Sequence, residues 1–200
     1  SVGDGTVVNG NIYPDRESVY LNGGPQNQQA AGVPDGEYWF MVTDPSGLTL
    51  LSTDQAANRR LKVVNGRVSG VPLTPPAAGA WHSVGSFNPA NGTTPVQLFP
   101  FDWTPNQGGE YKAWLIQIGD VEPDPVNTLR FRMKDGSGKG PEGLDNSRVK
   151  TDNFKVRRPA ETLTLLCPGD FTVGTNTACG ATIAQPMVYV DGVPAGANVS

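Results

Sequence analysis

The chain has 200 residues, a formal net charge of −4 and a pI near 4.9, a balance that argues against nucleic acid and anionic membranes as partners. It holds 25 Gly and 18 Pro with only 17% charged residues, which excludes a helical protein and suits a many-turned β architecture. A 37% hydrophobic content with four Trp and seven Phe supports a packed core rather than disorder, and no run of about 18 apolar residues is present to span a bilayer.

Taken in order, residues 5–13 (GTVVNGNIY) have strand composition around an Asn-Gly turn, and residues 17–21 (ESVYL) read as a second short strand. Asn22-Gly23-Gly24-Pro25 closes it, and residues 26–33 read as a polar loop or a turn of helix. The dominant stretch is residues 35–52. Tyr38, Phe40 and Val42 alternate with Trp39, Met41 and Thr43, and Asp44-Pro45-Ser46-Gly47 supplies a tight turn. Leu48, Leu50 and Leu51 are expected to return as the partner strand of a hairpin. A second hairpin is expected at residues 59–69, where Asn65-Gly66 separates two alternating runs.

Residues 71–91 are rich in Pro, Ala and Gly, carry Trp81 and the single His82, and read as a long connection. Residues 94–103 and 110–118 are two further expected strands. In the second, Tyr111, Ala113 and Leu115 alternate with Lys112, Trp114 and Ile116, so both faces are partly apolar and the strand should be central. Residues 129–133 alternate with Arg130 and Arg132 on the wet side, residues 134–148 form a Gly-rich loop, and residues 149–156 close the first domain.

Residues 157–160 read as a linker into a smaller unit at residues 161–200. About forty residues bury too little to be self-sufficient unless stapled or completed by other chain. The Thr, Asn, Gly and Pro enrichment points to a secreted or cell-surface protein, and the opening residues, with neither Met nor a signal pattern, to a mature or trimmed product. In that setting Cys167 and Cys179 are expected to form a disulfide closing a small loop, worth about 3 kcal/mol in the chain-entropy picture. Asn91-Gly92-Thr93 and Asn198-Val199-Ser200 fit the N-glycosylation pattern, which chance produces often.

Two stretches carry family resemblances. Cys167-Pro168-Gly169-Asp170-Phe171-Thr172-Val173, followed by Cys179-Gly180-Ala181-Thr182-Ile183, resembles the first half of a hyalin-repeat module. That resemblance implies an incomplete immunoglobulin-like sandwich in an extracellular protein. Gly36-Glu37-Tyr38-Trp39-Phe40-Met41-Val42-Thr43-Asp44, with the closing Asp152-Asn153-Phe154-Lys155-Val156, resembles the prealbumin-like (Cna B-type) sandwiches of bacterial surface stalks. Some of those domains carry a Lys–Asn isopeptide bond with a catalytic acid. No such triple can be placed on matching strands from this sequence, so the bond is not carried over.

Catalytic chemistry finds little support. A Ser-His-Asp hydrolase would have to use His82, which lies in a Gly/Pro/Ala loop without a G-x-S-x-G elbow, and a surface or loop-packing histidine is the favoured reading. One His and two Cys make a poor zinc site. Asp135, Ser137, Glu142 and Asp145 are candidate calcium oxygens, but Lys139 falls where such a loop needs a ligand, and a solvated turn is favoured. Trp81 and Trp103, near loops, are the candidates for stacking on glycans.

The sequence therefore leads to an all-β protein in two parts: an antiparallel, prealbumin-like sandwich over residues 14–156 and an incomplete β unit over residues 161–200. No enzyme activity and no cofactor are expected. The expected role is structural, a stalk or filament subunit that supports adhesion and polymerises head-to-tail by strand complementation. Residues 1–13 would be the donor, through Val7, Val8 and Ile12. The acceptor would involve Leu163, Leu165, Phe171, Val173, Val188 and Val190. The alternative is a carbohydrate-binding or adhesive module, with glycans or other surface proteins as partners.

Overall fold

The structure, a computed structural model, describes residues 1–5, 7, 10–23, 32–74, 80–119, 121–136 and 149–158, together with the backbone of residues 164–166 and 189–191. The chain divides into two compact units, Ser1–Arg158 and Pro159–Ser200. The described residues are all-β, with one 3₁₀ turn at Ala56–Asn58 and no helix long and apolar enough to cross a membrane.

The first unit is built on a six-stranded sheet. Its strands are β1 (Ile12–Tyr13), β3 (Gly36–Thr43), β4 (Arg60–Val64), β5 (Arg67–Val68), β7 (Glu110–Gln117) and β10 (Val149–Val156), in the order β1-β10-β7-β3-β4-β5. All neighbours are antiparallel except β1, which runs parallel to β10. Two smaller pairs accompany it: β2 (Tyr20–Leu21) with β6 (Val96–Gln97), and β8 (Val121–Pro123) with β9 (Phe131–Met133).

The alternation along β3 and β7 explains the layering. Tyr38, Phe40, Val42, Tyr111, Ala113 and Leu115 face one way, into a core completed by Val19, Val96, Leu98 and Phe101. Trp39, Met41, Trp114 and Ile116 face the other way and pack on Ala56, Val121, Phe131 and Met133. A strand with both faces buried must be interior, and β7 does lie between β10 and β3. Asn65 and Gly66, at φ 52° and 72°, make the two-residue turn between β4 and β5, whose mirror-image geometry matches the strand twist.

Several expectations are corrected. The partner arm at residues 48–51 is not a strand. Leu50 makes one bridge to Thr43, Leu48 is exposed, and β3 takes β4 and β7 as its neighbours. Residues 94–103 yield only Val96–Gln97 as strand, because Pro95 and Pro100 supply no N–H to a ladder. β8, at Val121–Pro123, falls between the strands expected at residues 110–118 and 129–133.

Within the N-terminal segment read from sequence as a donor strand, Ser1, Gly3 and Tyr13 are tied to the first unit. The Ser1 amine donates to the Tyr13 hydroxyl and, at 2.9 Å, to the Tyr20 carbonyl. Ser86 N–H donates to the Gly3 carbonyl at 2.7 Å, and Tyr13 is only 4% exposed. Gly85 is needed for this docking, since a Cβ there would collide with the Gly3 carbonyl oxygen and approach the Pro95 ring to 2.9 Å. Gly85→Ala should cost about 1–3 kcal/mol, the range for an overpacked contact. Hydrogen exchange checks this: Ser86 should lose protection before the sheet does.

Tight turns bind three carboxylates. Asp35 accepts from Gly66 N–H at 2.8 Å, and Asp124 from Val126 and Asn127 N–H at 2.7 and 3.1 Å. These backbone donors hold both carboxyls below the ordinary carboxylate range. At Asp44 burial pulls upward, but the Ser46 hydroxyl and the backbone N–H groups of Thr49, Ser46 and Leu48 together win and lower it. A depressed folded-state value means stability fully present above the unfolded carboxylate pKa, about 3.9, and lost as pH falls through the folded values. Thermal unfolding followed by circular dichroism should show a flat Tm down to about pH 5 and a progressive fall below about pH 4.

In the second unit, β11 (Thr164–Leu166) pairs antiparallel with β12 (Tyr189–Asp191), setting Leu165 opposite Val190. Leu163, Cys167, Phe171, Val173, Cys179 and Val188 lie outside the described residues.

Candidate functional site

Two features of the first unit invite a functional reading. The first is the rim of the sheet at β10. Lys155 N–H donates to the Asn11 carbonyl at 2.8 Å and Arg157 N–H to the Tyr13 carbonyl at 2.9 Å, both toward β1. Val156 N–H turns the other way, to the Gly109 carbonyl at 3.2 Å. Strand alternation therefore aims the backbone groups of residues 149, 151 and 153 outward. Since β1 covers only Lys155 and Val156, no strand among the described residues pairs with that outer edge.

Beside this edge opens a cavity of about 500 Å³, walled by Tyr13, Val19, Leu21, Leu98, Leu115 and Phe154, with Lys150 and Asp152 also on its lining. Phe154 anchors it. The ring stacks on Tyr111 with centroids 5.2 Å apart, and meets Phe101 and Tyr13 edge-on. Burial first, and the Asp152 charge second, push the Tyr13 phenol above its ordinary value, so it stays protonated over the physiological range. Lys150 and Asp152 share a face with Phe154, two positions apart in a strand, yet both are exposed. The edge strand thus turns charges, not apolar groups, toward the layer that covers β7.

The second feature is a buried charge cluster that sequence spacing did not suggest. His82, expected at the surface or in loop packing, is buried against Phe40 with ring centroids 4.8 Å apart. Its Nε2 lies 3.0 Å from Asp54 Oδ2 and its Nδ1 2.9 Å from the Gln97 carbonyl. Asp54 also faces Arg59 Nε at 3.4 Å. Arg59 is fully buried, donates to the Leu129 carbonyl, and lies over the Phe131 ring at 5.1 Å. Both ring nitrogens of His82 are thereby occupied, and neither faces a nucleophile. Ser52 Oγ, close in sequence, instead accepts from Val42 N–H at 2.9 Å. The cluster is a strut joining residues 54–59 to the 82–97 and 129–131 segments.

The remaining sequence candidates are dispersed. Val7 and Ile12 are 45% and 56% exposed, while Val8 lies outside the described residues. Trp103 is partly buried, with the Arg16 guanidinium 4.5 Å from its ring centre. Trp81 is half-buried, with its indole N–H covered. Asp135 is exposed in the turn after β9; Ser137, Glu142 and Asp145 lie outside the described residues. Among the described residues no group of three or more His, Cys, Asp or Glu could hold a metal ion. Lys112 stands opposite Asn153 in the β7–β10 ladder, and Glu110 Oε1 accepts from Asn153 Nδ2 at 3.1 Å. The structure thus juxtaposes the residue types of an isopeptide crosslink, but on a solvated face where water competes for each group. At the sequon, Asn91 Nδ2 donates to the Gly5 carbonyl at 3.1 Å and Thr93 is buried.

No family model, no curated protein and no solved structure matches the chain.

Proposed function

We propose that this chain is a non-enzymatic, secreted or cell-surface structural subunit that assembles by β-strand addition and supports adhesion. The observation that carries this reading is the solvent exposure of Val7 and Ile12, two apolar side chains on an N-terminal segment of strand composition. An extended segment of this kind, laid along an unpaired strand edge of another subunit, gains ladder hydrogen bonds and places alternate apolar side chains against its core.

Residues 5–13, with Val7 and Ile12 exposed, are the proposed donor, and residues 163–190 of the next subunit are the proposed acceptor for head-to-tail growth. Because Tyr13 is core and Ser1 is tied down, deleting residues 1–13 would unfold as well as unlink. The sharper test is Val7→Asp with Ile12→Asp, two changes at exposed positions, each expected to cost about 0.5 kcal/mol or less. Electron microscopy should show folded subunits that no longer polymerise. Polymers unchanged by the double substitution would remove residues 5–13 as the donor.

A further inference from the structure

We infer that the open edge of β10 pairs with the same edge of a second copy, antiparallel about a two-fold axis through Thr151. The occupant follows from charge and register. In an antiparallel pair centred on Thr151, Thr151 faces its symmetry mate, Lys150 faces Asp152, Asp152 faces Lys150, and Val149 faces Asn153. Every cross-strand pair is compatible: two opposite-charge pairs, one Thr–Thr pair, and an apolar–amide pair at each end.

The hydrogen-bond parity agrees independently. Residues 149, 151 and 153 are the ones whose N–H and C=O point outward, as the bonds of Lys155, Val156 and Arg157 establish. The two-fold register opposes odd residues only to odd residues, so each outward group meets a partner. A register shifted by one would oppose odd to even residues and leave those groups unmatched. Lys150 and Asp152 then occupy the non-hydrogen-bonded positions, where facing side chains approach most closely.

The same charges select the partner. Charged residues turned toward the covering layer of an edge strand repel most foreign strands. Here they alternate in sign about Thr151, so a second copy cancels them where an apolar or singly charged strand would leave them unpaired. The contact is isologous and closes at two subunits. It goes beyond the head-to-tail reading, since it supplies a pairwise unit for such growth while depending on none of its donor residues.

Sedimentation velocity of the full chain in low-salt buffer should show a monomer–dimer equilibrium. Lys150→Glu puts like charges opposite each other twice and should raise the dimer dissociation constant at least about tenfold. Lys150→Glu with Asp152→Lys reverses both signs and should restore it. Thr151→Pro removes an outward N–H without touching the β7 ladder, so the chain should stay folded by circular dichroism and become monomeric. A wild-type chain that stays monomeric at high micromolar concentration overturns the inference. So does a dimer indifferent to Lys150→Glu and Thr151→Pro, or one that the double charge reversal fails to restore. Should Lys150→Glu unfold, Asp152→Lys carries the same charge test. Polymers without this dimer would sink the edge pairing and leave the stalk reading standing; the dimer without polymers would do the reverse.

Discussion

Asp54→Asn should destabilise the first unit by about 3–5 kcal/mol, the range for removing one partner of a buried ion pair. For a unit of this size that is a fall in Tm of roughly 10 °C. The Asp54 carboxylate faces the fully buried Arg59 and also holds His82. Losing its charge removes compensation from a buried guanidinium, and the asparagine amide puts an NH2 donor where one of the two carboxylate oxygens faced Arg59 or His82. Adding Arg59→Met to Asp54→Asn should recover part of the loss, because the buried cation goes with it. Thermal denaturation of the single and double variants checks both statements. A single variant within about 0.5 kcal/mol of the parent would mean the cluster is not a strut.

Phe154→Ala should cost about 3–5 kcal/mol, the range for deleting a buried aromatic side chain. Phe154 sits where Tyr13, Phe101 and Tyr111 converge, and it is the last large side chain holding β10 against the core before the strand runs out to the open edge. Removing it leaves a void continuous with the neighbouring cavity, which it walls. The surrounding aromatics are fixed by β1, β7 and the 99–101 segment, so collapse into the void is restricted and the cost falls at the upper end. Denaturant unfolding measures it, with Thr151→Ala on the exposed part of the same strand as the control, expected within about 0.5 kcal/mol.

These two residues differ in how far the sequence announced them. Phe154 belongs to an alternating run, and its class and approximate place follow from local pattern. The same holds for β3 and β7, whose two apolar faces required a layer on each side, and for the Asn65-Gly66 turn. Asp54, Arg59 and His82 share no periodicity. They converge because η-turn residues 56–58 and the 82–97 segment are packed together by the sheet, a separation in sequence of 28 residues between Asp54 and His82. No local signal encodes that. The docking of residues 1–5 was hidden for a related reason, since its partners at Tyr20, Ser86 and Asn91 are loop and edge groups rather than apolar positions. The open edge of β10 was half legible: VKTDN alternates in charge, but only the ladder shows that its outward groups fall at the odd residues.

The proposed mode of action is assembly through added strands. Negative-stain electron microscopy of the purified full chain at micromolar concentration tests it most directly. Regular polymers should form and should disappear in the Val7→Asp, Ile12→Asp variant. Discrete single particles at every concentration, with the chain fully folded, would contradict it.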